Sequence, residues 1–520
     1  MYLVTAAQMQ SLDRRTIEEA KVPGTTLMEN AGRGVVEAFE KTFGSPAGKH
    51  VVIFCGKGNN GGDGFVIARL LRRKRARIHV LLFADPKELT GDAKIMHRRL
   101  LRTAGTSGVT SQPTDGRIRD HLERADFLID ALLGTGLSSP VKGRYQEAIT
   151  AMNASPAPTI AVDLPSGIHS DNGEILGTAV QAALTVTFGC PKVGLYLGAA
   201  IDYSGRIVVS DIGIPQEYVS ALSPKMHLLT PHIIKPLLPQ RPPTSHKGTF
   251  GHAGIIAGSP GKTGAAALAG RAALRIGAGL VTVATPRTVN PTLEAKLLEA
   301  MTAPMPETDD GTFGISAYSS LHDFAQTRSA VAIGPGIGTH PETGELVRKL
   351  IPNLNQPCVV DADGLNLLAG HTSTLSSSRI SPIVTPHPGE MARLLGHISP
   401  KSVNQDRLGV SLGFAKCHQV IVVLKGARTI VASPVGQAAI CPTGNPGMAS
   451  GGMGDALTGL IVGLLAQGLS PWNAARAGVY LHGLAGDIGA EKLGQAGLLA
   501  SDLIECIPHA LTQTLSSSPS

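Results

Sequence analysis

His50-Val-Val-Ile-Phe-Cys55 runs directly into Gly56-Lys-Gly-Asn-Asn-Gly-Gly-Asp-Gly64, and Phe65-Val-Ile-Ala-Arg-Leu-Leu71 follows at once. A short apolar run rich in β-branched residues reads as a strand buried on both faces. The segment after it is all turn-formers. Apolar residues then return at Phe65, Val66, Ala68, Leu70 and Leu71, which predicts a helix over 62–75. Strand, glycine loop and helix in that order form the unit of an α/β fold. The glycines at 58, 61, 62 and 64 are expected to permit positive φ and to let backbone N–H groups reach a ligand. A helix N-terminus behind them favours an anion. Asn59, Asn60 and Asp63 add oxygens for a cation or a ribose. A plain tight turn with an aspartate cap is the bland alternative, but two adjacent asparagines among four glycines exceed what a turn requires.

The same alternation extends in both directions. Helices are expected near 6–20 and 25–42, and strands near 78–83, 126–130, 159–163, 184–189 and 206–210. Prolines 215, 224, 231, 236, 239, 242 and 243 punctuate the next stretch and stop both helices and ladders. That stretch is expected to connect two domains, 1–222 and 223–520. A second alternation opens at Ala253-Gly-Ile-Ile-Ala257, with strands near 280–285, 329–333, 357–361, 382–385, 419–424 and 428–432. The last two are expected to form a hairpin around Lys425-Gly-Ala-Arg428, before helices near 453–467 and 471–490 and a frayed tail over 516–520. The fold class is therefore α/β, with two three-layer αβα domains, the first Rossmann-like.

Composition narrows the function classes. Of 520 residues, 42% are apolar, 16% charged and 4% aromatic, which is not a disordered chain. The 62 glycines exceed the roughly 36 expected from an average usage of about 7%. This excess is expected to serve phosphate-approaching loops. The net charge is +7, yet the densest basic run, Arg72-Arg-Lys-Arg-Ala-Arg77, has no interleaved aromatics and reads as an exposed helix end, so nucleic acid is not an expected partner. The six cysteines lack metal spacing and are expected to be free, mostly buried thiols of a reducing compartment. Met1–Ala20 carries Asp13, Arg14, Arg15, Glu18 and Glu19 and cannot be a signal peptide, and the apolar stretch 456–466 is too short to span a bilayer. A soluble, cytoplasmic protein without a membrane partner is expected.

Two further strand ends supply partners for the first glycine loop. Asp130 ends Phe127-Leu-Ile-Asp130 and precedes Gly134-Thr-Gly136; Asp163 and Ser166 lie in Val162-Asp-Leu-Pro-Ser-Gly167. Ligands of open parallel sheets bind outside the carboxyl ends of strands. Each aspartate taken alone could equally be a helix cap. Together with Leu27-Met-Glu-Asn-Ala-Gly32, these motifs resemble the NAD(P)H-hydrate epimerase family over roughly residues 5–220. The resemblance implies that Asn59, Asn60, Gly61, Gly62 and Asp63, with Gly134, Thr135, Gly136, Leu137, Ser138, Ser139 and Pro140, hold the hydrated nucleotide. It implies potassium on Asn60, Asp130 and Ser166. It also implies that Asp163 touches the substrate as acid–base near the reacting carbon. Lys192 matches a family lysine that assists proton traffic, or is a simple surface lysine.

Gly444-Asn-Pro-Gly-Met-Ala-Ser-Gly-Gly-Met-Gly-Asp-Ala-Leu-Thr-Gly459 is the most specific segment. Bare backbone at 451, 452 and 454 forms an anion hole at the start of an apolar helix, and Asp455 is placed to take a proton from a hydroxyl. This pattern resembles ribokinase-like kinases. The motifs 247–254, 257–259, 264–266, 333–338, 360–364, 385–390 and 424–429 narrow it to the ADP/ATP-dependent NAD(P)H-hydrate dehydratases, over roughly 225–510. The resemblance implies a ribokinase-like second domain in which Ala265, Gly336, His387 and Asp455 contact the hydrate. Lys425, Gly426, Ala427, Arg428, Thr429 and Gly454 would bind the adenine nucleotide. His387 is either that contact or a helix-capping or core histidine. Asp361 and Asp363 either hold Mg²⁺ through water or cap the helix at Leu365.

The expected function is metabolite repair. R and S forms of hydrated NADH and NADPH are epimerised, and the S form is dehydrated at the expense of ADP or ATP through a phosphorylated intermediate. A ribokinase-like small-molecule kinase with an N-terminal nucleotide-binding domain is the rival enzyme, and a nucleotide-binding sensor whose first domain lacks activity is the rival of another class. ADP is the favoured nucleotide, and a homo-oligomer, such as an octamer, is the implied assembly.

Overall fold

The computed structural model describes residues 1–104, 108–396 and 398–517, so most of the expected frayed tail lies outside the described residues. The chain divides into two compact units, Tyr2–Met226 and His227–Ser520.

Among the described residues, the first unit holds a seven-stranded sheet. Its strands are β1 (His50–Cys55), β2 (Arg77–Leu82), β3 (Val109–Ser111), β4 (Phe127–Ala131), β5 (Thr159–Val162), β6 (Leu184–Phe188) and β7 (Arg206–Ser210). Their order is β3-β2-β1-β4-β5-β6-β7, and every pair is parallel. Alternate residues of β1 enter different cores. Val51, Ile53 and Cys55 pack with helices α1 (Ala6–Glu18), α2 (Gly24–Phe43) and α3 (Asn59–Arg73). Val52 and Phe54 pack with α4 (Asp115–Leu122) and α5 (Arg144–Ala154) on the other face. That two-fold alternation is the physical signature of a sheet buried on both sides.

The first glycine loop departs from its sequence reading. Helix α3 starts at Asn59 rather than 62 and ends at Arg73 rather than 75, with Gly58 as an extended N-cap. None of the glycines at 58, 61, 62 and 64 has positive φ. Their small size serves packing instead. A Cβ on Gly62 would stand 2.7 Å from Met28 Sδ, and one on Gly64 would stand 2.6 Å from Cys55 Sγ. Part of the glycine excess thus lets helices approach their neighbours. The run at 72–77 is exposed except for Ala76, but only Arg72 and Arg73 close α3; a turn follows and Arg77 opens β2.

The proline-rich stretch also differs. It contains the helices Gln216–Ala221 and Pro231–Ile234, and proline lies at or just before their starts. Proline at a helix start loses no hydrogen bond, so here it begins helical turns.

The second unit contains β8 (His252–Ile256), β9 (Leu280–Pro286), β10 (Met301–Met305), β11 (Ala330–Ile333), β12 (Cys358–Val360), β13 (Ile383–Val384), β14 (Ile421–Leu424), β15 (Ile430–Ala432) and β16 (Ala438–Ile440). These run β16-β15-β14-β13-β12-β11-β8-β9-β10, antiparallel only at the β14–β15–β16 edge. The hairpin at 425–428 is as read; β10 and β16 were not anticipated. Layers on the two faces include α6 (Thr263–Arg275), α7 (Pro388–Leu394), α8 (Met453–Ala466), α9 (Pro471–Leu493) and α10 (Ala500–Ser516). Residues 456–466 of α8 are buried throughout. Gly459 lies so close to α6 that a Cβ there would meet Ala269 O at 2.2 Å. Among the described residues no helix is long and apolar enough to cross a membrane. The six cysteines are free, and all but Cys417 are buried.

Candidate active sites

In the first unit, the carboxyl ends of β1, β4, β5 and β6 open on a cavity of about 640 Å³. Asn59, Asn60, Asp63, the loop 134–139, Asp163 and Lys192 all line it, so the structure brings these site candidates together. Gly61, Gly62 and Pro140 do not line it. Gly61 is packed behind, where a Cβ would meet Gly56 O at 2.0 Å.

Asp163 follows β5 in a left-handed conformation, φ 69°. For a side chain other than glycine or asparagine that conformation is uncommon, and it needs surrounding structure to hold it. Its Oδ1 accepts from Lys192 Nζ, from Thr187 Oγ1 at 3.0 Å and from the Phe188 N–H at 3.2 Å. Lys192 is 1% exposed, which removes the surface-lysine reading. Its ammonium also donates to Thr187 Oγ1 at 3.2 Å and Phe188 O at 3.1 Å.

Asp130 and Ser166 lie below the cavity. Ser166 donates from its N–H to Asp130 Oδ2 at 2.7 Å and from Oγ to Oδ1 at 2.6 Å. Burial pushes the Asp130 carboxyl up to about 6, against the lowering effect of those bonds. Asn60 Nδ2 donates to Leu133 O at 2.8 Å, which also accepts from Ser166 Oγ at 3.2 Å. Asn60 Oδ1, by contrast, is buried without a partner. An orphaned carbonyl oxygen beside a carboxylate and a hydroxyl is a donor set for a hard cation. Among the described residues no cluster of three or more His, Cys, Asp or Glu is placed to hold a metal ion, so such a site would rest on these mixed oxygens.

Asp63 and Asp13 bring two more carboxyls to the cavity. Burial raises Asp63 well above the usual range, and the nearby Asp163 and Asp13 raise it further. Asp13, on α1, is pushed up to about 6 by burial, opposed by the attraction of Lys192. Asp13 was missed as a site residue, although a signal existed. Met9, Asp13 and Ile17 form one i, i+4, i+8 row that lines the cavity, and a lone acid in an apolar row is out of place.

In the second unit the ends of β12, β13 and β14 carry Asp361, Thr385 and Lys425. Asp361, 1% exposed, accepts from Lys425 Nζ and Thr385 Oγ1 on Oδ1, at 2.8 and 2.7 Å, and from Thr458 Oγ1 on Oδ2 at 2.7 Å. Burial alone would lower the Lys425 ammonium, but Asp361, Glu390 and Asp455 together hold it above its usual value. Asp455 lies in the first turn of α8, behind Gly452 at φ 89°. Burial and the nearby Asp361 push its carboxyl up to about 7, against Lys425. Gly454 lies so near that a Cβ would stand 3.3 Å from Lys425 Nζ. His482 Nε2, buried on α9, bonds to Met453 O at 2.9 Å and steadies the turn.

His387 is the N-cap of α7. Its Nδ1 accepts from the Gly389 and Glu390 N–H groups, while half of its side chain remains exposed. The capping reading therefore holds without removing the ring from the site. Asp361 is not a helix cap, and Asp363 accepts from Gly338 N–H at 3.0 Å and Lys262 Nζ at 2.9 Å. Ala265 and Gly336 adjoin: a Cβ on Gly336 would stand 3.2 Å from Ala265 Cβ. Arg407, which sequence reading missed, donates to the carbonyls of Leu424, Lys425 and Ala427 and shapes the 425–429 loop. Arg428 is itself engaged by Pro442 O, and Thr429 Oγ1 donates to Gly426 O at 3.1 Å.

Comparison with known proteins agrees with this division. The family model described as YjeF-related protein N-terminus matches residues 24–194, and that of NAD(P)H-hydrate dehydratase matches 253–509. The bifunctional NAD(P)H-hydrate repair enzyme Nnr of Moorella thermoacetica is 44% identical over 526 residues, covering 98% of this chain and 97% of its own. The enzyme of the same name from Escherichia coli is 36% identical, covering 94% and 90%. A crystal structure of the ADP/ATP-dependent NAD(P)H-hydrate dehydratase from Bacillus subtilis, co-crystallised with ATP/Mg²⁺, is 31% identical. It covers 55% of this chain and 98% of its own, with a TM-score of 0.48. With both glycine–aspartate loops matched along nearly the whole of each relative, the chain belongs to the family of bifunctional NAD(P)H-hydrate repair enzymes.

Proposed function

We propose that the first unit interconverts the R and S hydroxyl epimers of hydrated NADH and NADPH, and that the second dehydrates the S epimer using ADP or ATP. The observation that carries this reading is the pairing, in one chain, of the Asp163–Lys192 cavity with an Asp455 carboxyl poised beside Lys425.

In the second unit, the Asp455 carboxylate takes the proton of the C6 hydroxyl, the oxygen attacks the terminal phosphorus of the nucleotide, and the bond from that phosphorus to the bridging oxygen breaks to release AMP from ADP or ADP from ATP. The bare backbone of 451–454 and the Lys425 ammonium neutralise charge on the transferring group. The phosphorylated intermediate then loses phosphate from C6 and a proton from C5, which restores the ring double bond. Hydroxide, a poor leaving group, has become phosphate, a good one. The 425–429 loop, shaped by Arg407, holds the adenine nucleotide, and Ala265, Gly336 and His387 face the hydrate. Asp361 accepts from three donors, one of them the Lys425 ammonium, and Asp363 Oδ2 accepts from Lys262 Nζ and the Gly338 N–H, so both carboxylates are already tied to cationic or N–H partners. Mg²⁺ accompanying the nucleotide would supply further positive charge to the transferring phosphoryl group.

In the first unit, Asn60, Asp130 and Ser166 fit K⁺, which when bound supplies positive charge at the floor of the cavity. The loop 134–139, with Asn59, Asn60 and Asp63 at the start of α3, holds the hydrated nucleotide.

Incubating the chain with R- and S-hydrated NADPH and either nucleotide tests the whole reading. The expected result is return of the reduced-nicotinamide absorbance with one phosphate released per turnover. Phosphate retained on the product would instead mark a kinase. Asp163→Ala is expected to stop R-to-S conversion while the S form is still consumed.

A further inference from the structure

In the first unit the two groups expected to move protons are bonded to each other. Asp163 Oδ1 takes three donors, and Lys192 spends its ammonium on Asp163, Thr187 and Phe188. Moving a proton through either disturbs the network that holds Asp163 in its left-handed backbone conformation. Asp13 is different. Among the described residues its carboxyl makes no hydrogen bond or ion pair, yet it lines the same cavity from α1.

Its position is fixed by the chain just ahead of it. Val4 bonds on both sides of Lys192, its N–H to Pro191 O and its C=O from Val193 N–H, each at 3.1 Å. The Ala6 N–H donates to Asp171 Oδ1 at 2.7 Å, and Thr5 and Gln8 close a capping box on α1. Helix α1 is thus registered directly on the segment that carries Lys192. The charged groups around the cavity are Lys192 and Asp163, Asp63 of α3, and Asp92 and Lys57.

We propose that Asp13 is a catalytic residue of the epimerase, the acid that protonates the leaving C6 hydroxyl, with the Asp163–Lys192 pair as fixed charges beside the reacting ring. This rests on the epimerase reading above. Asp13 gives its proton to the hydroxyl; the C6–O bond breaks, its electron pair leaves in water, and the ring-nitrogen lone pair forms a C6–N double bond. Water then adds to the opposite face of C6, the π pair returns to nitrogen, and the proton released by the added water restores Asp13. Hydrogen at C5 is retained throughout, and water is the only co-reactant.

The test uses the full chain, Asp13→Asn and Asp13→Glu, with the R hydrate as substrate in H₂¹⁸O. Wild type is expected to place ¹⁸O in the C6 hydroxyl as it epimerises. Asp13→Asn is expected to lower kcat by roughly 10²–10⁴-fold, the usual contribution of one acid–base group, with KM nearly unchanged. Asp13→Glu, which keeps the acid, should recover part of the rate. Wild-type-like turnover by Asp13→Asn overturns the inference. So does a loss that lies in KM, or in hydrate binding measured by calorimetry, for both variants, because that marks a packing role. Wild-type epimerisation without ¹⁸O uptake overturns the water-loss step. A wild-type chain that leaves the R form untouched sinks the epimerase reading itself, and this inference falls with it.

Discussion

Lys425 Nζ stands 2.8 Å from Asp361 Oδ1, deep at the carboxyl ends of β14 and β12, and Thr458 of α8 holds the other oxygen of the same carboxylate at 2.7 Å. The pair ties the sheet to the turn that carries Asp455. Removing one partner of a buried pair strands the other charge, which costs about 3–5 kcal/mol when burial is complete. Asp361→Asn is expected to lower the unfolding free energy of the second unit by less than that, about 1–3 kcal/mol, since Lys425 keeps Glu390 Oε2 at 3.7 Å and some solvent contact. A urea melt that matches wild type would contradict this. Lys425→Met should lower dehydratase kcat by roughly 10²-fold through lost charge neutralisation.

The pH dependence of the dehydratase follows from Asp455, whose carboxyl burial lifts to about 7. The carboxylate is the form that accepts the hydroxyl proton. Activity is thus full above that value and declines as pH falls through it, by about tenfold per pH unit in kcat/KM. Around this group stand Asp361, Lys425, Asp363 and Glu390. Asp455→Asn should abolish the limb and lower the rate by roughly 10²–10⁴-fold. A wild-type profile that stays level down to pH 5, about two units below, speaks against Asp455 as the base.

Gly459 offers a test of packing free of chemistry. Alanine is the better helix former by about 1 kcal/mol, so propensity alone favours Gly459→Ala. The new Cβ, however, would meet the Ala269 carbonyl at 2.2 Å, and a backbone atom cannot swing aside. Net destabilisation of about 1–3 kcal/mol is expected from this overpacking, with epimerase activity intact. Equal or higher thermal stability would show that α6 and α8 are not in such close contact.

Cation dependence should trace to Asn60. Asn60→Ala removes the orphaned Oδ1, and Ser166→Ala removes the hydroxyl between Asp130 and Leu133. Epimerase activity is expected to rise with KCl in wild type and to need much higher salt in both variants, measured against NaCl at equal ionic strength. No difference between the two salts would remove potassium from the site.

The sequence by itself determined the fold class and both glycine–aspartate loops. Runs such as Val51–Cys55 and Ile421–Leu424 are apolar on every residue, and only a sheet covered on both faces buries them all. Strands β16, Ala438–Ile440, and β10, Met301–Met305, escaped because runs of three to five residues carry little periodic signal. Three other matters were decided only by tertiary structure. Gly62 and Gly64 read as part of a ligand loop, yet their missing side chains make room for Met28 and Cys55, and Gly459, inside the expected helix, makes room for Ala269, all contacts far off in sequence. Lys192 could have been a surface residue until β6 placed it against Asp163. Asp13 looked like one charge among several on an amphipathic helix, and only the docking of α1 beside Lys192 turned it into the cavity. Burial and pairing are properties of distant neighbours, so local pattern sets where chemistry-bearing residues stand in the chain, and packing sets which of them meet.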